Sequence, residues 1–195
     1  MNKAPLINFI QHNIPNIPVS AQSLEMIAEQ FDEREFTKGD YLLKEGKVSG
    51  YFYLAEGFLR AFTFDMEGND VTTYFYSAGR VVFDASSFFL RIPSTENIQS
   101  VTNCKGYYTT FDKLNALFHS VPEFREFGRQ MIVKEFVAYK QRTLAMINTS
   151  AEERYQNLIE TEKEIFQYAQ LKHIASYLGI SERSLSRIRN EFAKK

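Results

Sequence analysis

The sequence has one cysteine, Cys104, no tryptophan, and only nine glycines and five prolines among 195 residues. A single cysteine cannot form a disulfide within the chain and cannot ligate an iron–sulfur cluster alone, so a disulfide framework and the usual cysteine-bound cluster are excluded. The longest apolar runs are too short to span a membrane. The first residues, Met1 to Pro5, lack the basic and apolar segments of a secretory signal. These absences predict a cytoplasmic protein with no membrane partner.

Motifs of catalysis and metal binding are also missing. The three histidines, His12, His119 and His173, are far apart in sequence, and none lies in the strand-rich region that a small metal-binding barrel would use. The sequence contains no Gly-x-Ser-x-Gly elbow, no phosphate loop and no paired nucleophile and base motif. We therefore predict neither an enzymatic activity nor a metal site.

The charge is small in total but unevenly distributed. The whole chain carries a net charge of −1, from 23 basic and 24 acidic residues. Residues 170–195 contain six Lys or Arg against Glu182 and Glu191, a local charge of +4, which leaves −5 for the rest. A basic end on an acidic body is typical of a nucleic-acid-binding module joined to another domain.

Residues 36–110 have the pattern of an all-β domain. They are rich in Phe, Tyr, Val and Thr and are interrupted by glycine-containing turns at near-regular intervals. An amphipathic helix over Ser20–Phe31 precedes them. The predicted strands are Tyr41–Lys44, Gly50–Leu54, Phe58–Asp65, Asp70–Tyr76 and Ile98–Tyr108. Many short strands with glycine turns predict a sandwich or barrel.

A long helix is predicted over Val121–Ile147, which contains a single glycine and no proline after Pro122. Its apolar stripe repeats at intervals of four and three residues, as in a coiled coil, and favours a dimerisation helix. An alternative is a helix that lies across its own barrel. The predicted dimer residues are Ile132, Phe136, Tyr139, Thr143 and Met146.

A new helix is predicted after this one, because Ser150 and Glu153 have the spacing of a capping box. The boundary between the two modules is therefore placed at residues 148–150. The predicted domains are residues 1–120 for a sensor, 121–148 for the dimerisation helix and 149–195 for the output module.

The most specific pattern is that of a helix-turn-helix in residues 171–189. Two short helices that cross at a steep angle need a small residue where they approach, which Ala175 supplies, and a tight turn, which Gly179 supplies. Ser181 is positioned to cap the second helix. Apolar residues fill the wedge between the helices, namely Ile174, Leu178, Ile180, Leu185 and Ile188.

The polar residues of the second helix are the predicted contacts to double-stranded DNA. With Leu185 and Ile188 inward, the remaining side chains near its N-terminal half are free to enter a major groove. Arginine binds guanine through two hydrogen bonds, and serines and the helix N-terminus suit phosphate. Lys194 and Lys195 would add sequence-independent attraction. The predicted DNA-binding residues are Ser181, Glu182, Arg183, Ser184, Ser186, Arg187 and Arg189. An ordinary helical hairpin with solvated arginines is the alternative.

Together these features resemble the Crp/Fnr family of bacterial transcription regulators. The resemblance rests on residues 36–46 and 51–60 of the strand region, the long helix, and the segments Ile174–Ser181 and Leu185–Ile188. It implies an α+β fold with an N-terminal jelly-roll-like β-roll (a double-stranded β-helix) of the cyclic-nucleotide-binding type and flanking helices. It also implies a homodimer that reads a palindromic operator and regulates transcription, with RNA polymerase as a further partner.

The sequence departs from the family pattern in two places. The family carries a short C-terminal hairpin, or wing, after the recognition helix, and this sequence ends at Lys195, so we expect no wing. In members that bind cyclic nucleotides, a Gly-Glu pair and a later Arg-Ser or Arg-Thr pair hold the ribose and phosphate. Here Arg80 follows Gly79, and Pro93 precedes Ser94, with Arg91 the nearest substitute. Ordinary cAMP or cGMP binding is therefore not expected, and no cofactor is assigned.

A pocket for a different anion remains a hypothesis, with Phe88 and Phe89 as further wall residues. Its predicted residues are Gly79, Arg80, Phe83, Asp84, Ser86, Ser87, Ser94, Thr95, Tyr139, Arg142 and Thr143. The opposite interpretation is that the phenylalanines are core and the serines belong to turns. Two further alternatives stay open: a regulator that binds cAMP or cGMP in a non-standard pocket, and an interaction protein whose helix-turn-helix binds protein. DNA binding would weaken steeply with salt, whereas protein binding need not.

Overall fold

The computed structural model describes residues 3–13 and 19–193. Two helices, α1 (Ala4–His12) and α2 (Ala21–Glu29), precede the β-domain. The hydroxyl of Ser20 caps α2 by accepting a hydrogen bond from the backbone N–H of Ser23 at 3.0 Å. The helix predicted from Ser20 is therefore present, whereas α1 was not predicted.

The strands of the described residues are β1 (Asp32–Phe36), β2 (Tyr41–Leu43), β3 (Tyr51–Glu56), β4 (Phe58–Phe64), β5 (Asp70–Ser77), β6 (Arg80–Val82), β7 (Asn97–Ser100) and β8 (Cys104–Thr109). They form two four-stranded antiparallel sheets, with strand orders β1-β8-β3-β6 and β2-β7-β4-β5. Apart from the β4–β5 hairpin, strands that are consecutive in sequence alternate between the sheets, as in a jelly roll. This is the β-roll that the sequence resemblance implied.

Several elements of the roll differ from the predicted ones. The single strand predicted over Ile98–Tyr108 is two strands, β7 and β8, separated by a short turn. The edge strand β1 was missed because its sequence, Asp-Glu-Arg-Glu-Phe, is mostly charged and no side chain in it is fully buried. Strand β6 has three residues, too few to show alternation. A short helix, α3 (Ala85–Leu90), lies between β6 and β7 and was not predicted.

Six helices follow the roll: α4 (Phe111–Ser120), α5 (Pro122–Asn148), α6 (Ala151–Thr161), α7 (Lys163–Tyr168), α8 (Leu171–Tyr177) and α9 (Glu182–Phe192). Helix α5 confirms the predicted long helix. The capping box that starts α6 is also present, since the hydroxyl of Ser150 accepts from the N–H of Glu153 and the Glu153 carboxylate accepts from the N–H of Ser150 at 2.7 Å. No helix within these described ranges is both long and apolar enough to cross a membrane.

The hydrophobic core has three parts, and one of them joins the roll to the C-terminal helices. One part lies between the two sheets, and another lies between the roll and helices α1, α2, α4 and the start of α5. The third is built from the C-terminal helices, but it also contains Phe58 and Phe75 from the roll. The C-terminal helices are therefore packed directly on strands β4 and β5.

Candidate functional site

Helices α8 and α9 form the helix-turn-helix that the sequence predicted. Gly179 adopts a left-handed conformation, with φ of 69°, which suits a residue without a side chain. The N–H of Ile180 donates to the carbonyl of Ala175 at 3.0 Å, which closes the turn. The hydroxyl of Ser181 caps α9 by accepting from the N–H of Ser184, as predicted. Leu185 and Ile188 are buried.

The predicted DNA-binding residues share the solvent-facing side of α9. Six of the seven are exposed and Ser184 is half-buried. Ser184 lies 2.9 Å from the hydroxyl of Ser181, so both serines take part in capping. Arg187 forms ion pairs with Glu152 at 3.2 Å and with Glu191 at 3.1 Å. Lys194 and Lys195, predicted to add attraction, lie outside the described residues.

A cavity of about 810 Å³ lies between the roll and helix α5, with α1, α3 and α4 completing its walls. Seven of the eleven predicted pocket residues line it: Gly79, Arg80, Phe83, Asp84, Ser86, Thr95 and Tyr139. The other four, Ser87, Ser94, Arg142 and Thr143, are not part of its lining. Of the two further predicted wall residues, Phe89 lines the cavity, whereas Phe88 is fully buried in the core.

The two serines outside the cavity are buried and bonded inside the protein. The Ser87 hydroxyl donates to the carbonyl of Ile92 at 2.7 Å and accepts from the N–H of Ser49 at 2.9 Å. The Ser94 hydroxyl donates to the carbonyl of Glu96 at 3.1 Å. These serines hold the loops around α3 in place and are not presented to a ligand, which corrects their predicted position in the cavity.

Arg142 and Thr143 also occupy different positions from those predicted. The Arg142 guanidinium donates to the carbonyls of Thr73 on β5 and Tyr177 on α8, and it lies 4.0 Å above the Tyr177 ring. The Thr143 hydroxyl is exposed and donates to the carbonyl of Tyr139 one turn earlier. Arg142 therefore connects the roll, the long helix and the helix-turn-helix. The predicted substitute Arg91 lies 5.1 Å from the ring of Phe111 and is not part of the cavity lining.

Arg80, the predicted anion ligand, is already paired with two carboxylates. Its guanidinium is 3.2 Å from Glu162, between α6 and α7, and 3.8 Å from Glu135 on α5. Asp84, in the same wall, caps α3 and accepts from the Ser86 hydroxyl at 2.7 Å. Burial raises the pKa of Asp84, but hydrogen bonds from Ser94, Ser86 and the backbone of Ser87 hold it below its ordinary value.

The sequence pattern did not identify Glu96 as a cavity residue. Burial raises the pKa of Glu96 above its ordinary value, and the charge of Asp84 acts in the same direction, against the hydroxyl of Thr73 and the charge of Arg142. Strand β5 contributes Thr73, Tyr74 and Tyr76 to the lining, which were also missed. The β-branched and aromatic residues of β5 predict a strand, but they do not show which face borders a cavity.

A polar network joins β4 and β5 to helix α8. Arg60 is buried and pairs with Asp70 at 3.0 Å. The Nε2 atom of His173 lies 3.7 Å from the same carboxylate. The N–H of Thr72 donates to the hydroxyl of Ser176 at 3.1 Å. The first helix of the helix-turn-helix is therefore held to the roll by a hydrogen bond as well as by apolar packing.

The exposed apolar surface of α5 includes the predicted stripe and extends beyond it. Of the five predicted residues, Ile132, Phe136, Tyr139 and Met146 expose large apolar side chains, and Ile132, Phe136 and Tyr139 also border the cavity. A neighbouring set on the same helix is exposed as well, namely Val133, Val137, Leu144 and Ile147. A cluster of exposed apolar side chains of this kind is typical of an interaction surface.

The comparisons with known proteins agree with this architecture. Residues 33–120 match the family described as the cyclic nucleotide-binding domain. Among solved structures, a protein of Eubacterium rectale assigned to the Crp/Fnr family of transcriptional regulators superposes with a TM-score of 0.70 at 14% identity, over 90% of this chain and 84% of that one. FixK2 of Bradyrhizobium japonicum gives 0.70 at 16% identity, over 84% and 85%.

A third solved structure, the c-di-GMP-responsive global regulator CLP of Xanthomonas campestris, gives a TM-score of 0.69 at 12% identity, over 90% of this chain and 92% of that one. The comparison with curated protein sequences gave no match. The fold implied by the sequence resemblance is therefore confirmed. Two of these three proteins, those of Eubacterium rectale and Xanthomonas campestris, are described as regulators.

Proposed function

This chain has the fold of the Crp/Fnr regulators, and we propose that it is a homodimeric transcription regulator that binds DNA sequence-specifically through α9. The observation that carries the proposal is the exposed, arginine-bearing face of α9. The apolar face of α9, formed by Leu185 and Ile188, is buried against the rest of the domain. The polar face points to solvent and does not take part in the core. A side-chain set of this kind on the second helix of a helix-turn-helix reads base edges in the major groove.

Within this face, Arg183 is the strongest candidate for base recognition. It lies two residues after the N-cap, in the part of the helix that enters the groove, and its side chain is exposed. Arg187 would first have to leave Glu152 and Glu191, both of which are at the protein surface. Exposed ion pairs of this kind contribute only about 0–1 kcal/mol, so phosphate or base contacts can replace them.

The homodimer would form through the exposed apolar surface of α5. Two such helices side by side would cover Val133, Val137 and Ile147 and bring two copies of α9 into a two-fold arrangement. Two-fold symmetry in the protein requires two-fold symmetry in the DNA, so the operator would be a palindrome with half-sites one helical turn apart.

The cavity would be the effector site, and its ligand would not be a standard cyclic nucleotide. The arginine that borders it, Arg80, is bound to Glu135 and Glu162, and Ser87 and Ser94 are satisfied inside the protein. A ligand in the cavity would contact α5 and could alter how Arg80 holds Glu162 in the C-terminal domain. That displacement would change the orientation of α9, which is an allosteric coupling between two distinct sites.

Fluorescence anisotropy with labelled genomic fragments from around the protein's own gene tests the DNA-binding proposal. We expect saturable binding that weakens steeply as salt is raised. Arg183→Ala should weaken binding to the preferred fragment by about 1–3 kcal/mol. Lys163→Ala, an exposed cation on α7, serves as the control and should have a smaller effect. Binding that is absent for every fragment would favour a protein partner for the helix-turn-helix.

A further inference from the structure

The charges around the cavity point to the chemistry of its ligand. Three acidic residues, Asp84, Glu96 and Glu135, line it, against two basic ones, Arg80 and Lys134. Glu135 and Arg80 compensate each other, and Arg80 is also held by Glu162. The side chain of Lys134 is exposed to solvent. Lys134 is therefore the one cation of the described lining without an ion pair, and its exposed charge is screened by solvent, so it attracts an anion only weakly.

Of the three acids, Glu96 has neither an ion pair nor a helix N-terminus to hold its charge, and only the Thr73 hydroxyl and the more distant charge of Arg142 favour it. Asp84 accepts hydrogen bonds from the Ser86 hydroxyl and the Ser87 backbone. Glu96, in contrast, has no cationic side chain within 4.0 Å among the residues that the structure describes. The raised pKa of Glu96 reflects this, because an isolated carboxylate is poorly solvated at that position. A cation beside it would remove that penalty.

The remaining walls are aromatic. Tyr51, Tyr74, Tyr76, Phe83, Phe89 and Tyr139 contribute rings to the cavity. Flat apolar molecules bury their surface well against such rings, and the faces of the rings attract cations. The cavity thus combines an apolar aromatic enclosure with one unpaired carboxylate, and its volume of about 810 Å³ is that of a site for a drug-sized molecule.

We propose that the effector is an aromatic amine in its protonated form, with its ring among the aromatic walls and its ammonium or amidinium group at Glu96. This inference rests on the proposed function, since it names the ligand class of the same cavity. The same charges predict that anionic ligands bind poorly in this cavity. A nucleotide phosphate would be desolvated near three carboxylates and would have to displace Glu135 or Glu162 from Arg80, so anions should bind more weakly than cations.

Three tricyclic probes of one shape and different charge test the proposal: 9-aminoacridine as the cation, acridine as the neutral ring and acridine-9-carboxylate as the anion. Their affinities for the full-length protein would be measured by isothermal titration calorimetry at pH 7.5, with cAMP as a fourth ligand. We expect 9-aminoacridine to bind about tenfold or more tightly than acridine, because a charge-assisted contact is added. The carboxylate and cAMP should bind more weakly than acridine.

Two substitutions locate the effect. Glu96→Gln keeps the size and hydrogen-bonding capacity of the side chain and removes its charge, so it should abolish most of the preference for 9-aminoacridine while acridine binds as before. Glu45→Gln, an exposed site on the roll, should leave all four affinities unchanged. A preference that persists in the Glu96 variant, tighter binding of an anion, equal binding of all probes, or no binding of any would each overturn the proposal.

DNA binding by the same preparation separates this inference from the proposed function. A protein that selects DNA but shows none of the expected amine preference would keep its function as a regulator and lose the assigned ligand class. Amine binding that depends on Glu96, without any DNA binding, would support the site and contradict the regulator.

Discussion

The guanidinium of Arg80 lies 3.2 Å from the carboxylate of Glu162, an ion pair that joins a wall of the cavity to the helix-turn-helix domain. The same guanidinium is 3.8 Å from Glu135 on the long helix. One side chain thus contacts the three units whose relative positions would have to change for an effector to alter DNA binding. Arg80 is therefore the residue through which the proposed effector would be coupled most directly to α9.

Glu162→Gln should loosen the C-terminal domain without unfolding it. The two side chains are about one-third exposed, so the loss in overall stability should stay below about 1 kcal/mol. Hydrogen exchange in α7 (Lys163–Tyr168) should become faster, while exchange in the roll should not change. Glu164→Gln, an exposed neighbour on α7, is the control. Unchanged exchange in α7 would show that the pair does not hold the domain.

Arg142→Ala should lower the free energy of unfolding by roughly 1–3 kcal/mol, because it leaves the carbonyls of Thr73 and Tyr177 without their donor. Urea denaturation followed by circular dichroism measures the change. Lys140→Ala, on the exposed side of the same helix, should change stability by less than about 0.5 kcal/mol. Similar effects of the two substitutions would mean that the hydrogen bonds of Arg142 do not stabilise the contact between the roll and the helix-turn-helix.

His173 should make the protein less stable as the pH falls. Burial is the main cause that lowers the pKa of His173 to about 4, and the charges of Arg60 and Lys172 lower it further. The charge of Asp70 raises this pKa but does not outweigh them. The unfolded chain therefore binds a proton near pH 6.5 that the folded protein takes up only near pH 4. The stability that the folded protein gains from keeping this imidazole neutral is complete above pH 6.5, and it is lost as the pH falls from 6.5 to about 4.

We expect the loss from His173 to be roughly 1–3 kcal/mol between pH 7 and pH 4. Unfolding free energies of the wild type and His173→Gln, measured across this range, isolate it by difference. The exposed His119 provides the control substitution, His119→Gln, which should follow the wild type. Parallel curves for wild type and His173→Gln would contradict the assignment.

Val133→Asp should convert the dimer to a monomer, because it places a charge on the exposed apolar surface of α5. Analytical ultracentrifugation at micromolar concentration measures the mass directly. Gln141→Asp changes the charge elsewhere on the same helix and should leave the dimer intact. A monomeric wild-type protein would contradict the proposed dimer, and a Val133→Asp protein that remains dimeric would place the interface elsewhere.

The parts of this structure that were predictable from sequence are those fixed by local chemistry. The turn at Gly179, the cap at Ser181 and the capping box at Ser150 each depend on neighbouring residues, so the pattern is visible in the sequence. The long helix is similarly marked by its periodicity and its lack of breakers. The edge strand β1 could not be recognised because pairing with β8, and not its own mostly charged sequence, makes it a strand.

The cavity was harder to predict because its chemistry depends on residues far apart in the chain. Arg80 resembled an anion ligand in isolation, and only the fold brings Glu135 and Glu162 to it. Ser87 and Ser94 resembled ligand donors, but their partners are backbone groups of nearby loops. No sequence pattern marks Glu96, because its raised pKa comes from burial and from the charge of Asp84, which only the fold brings about.

Selection of bound sequences from a random pool of duplex DNA tests the central claim most directly. The account predicts enrichment of a two-fold-related motif with half-sites about 10 base pairs apart, centre to centre, by the wild type. Arg183→Ala should lose the enrichment at one position in each half-site or lose it altogether. No enriched motif, or the same motif from the Arg183→Ala protein, would contradict the proposal that α9 reads DNA.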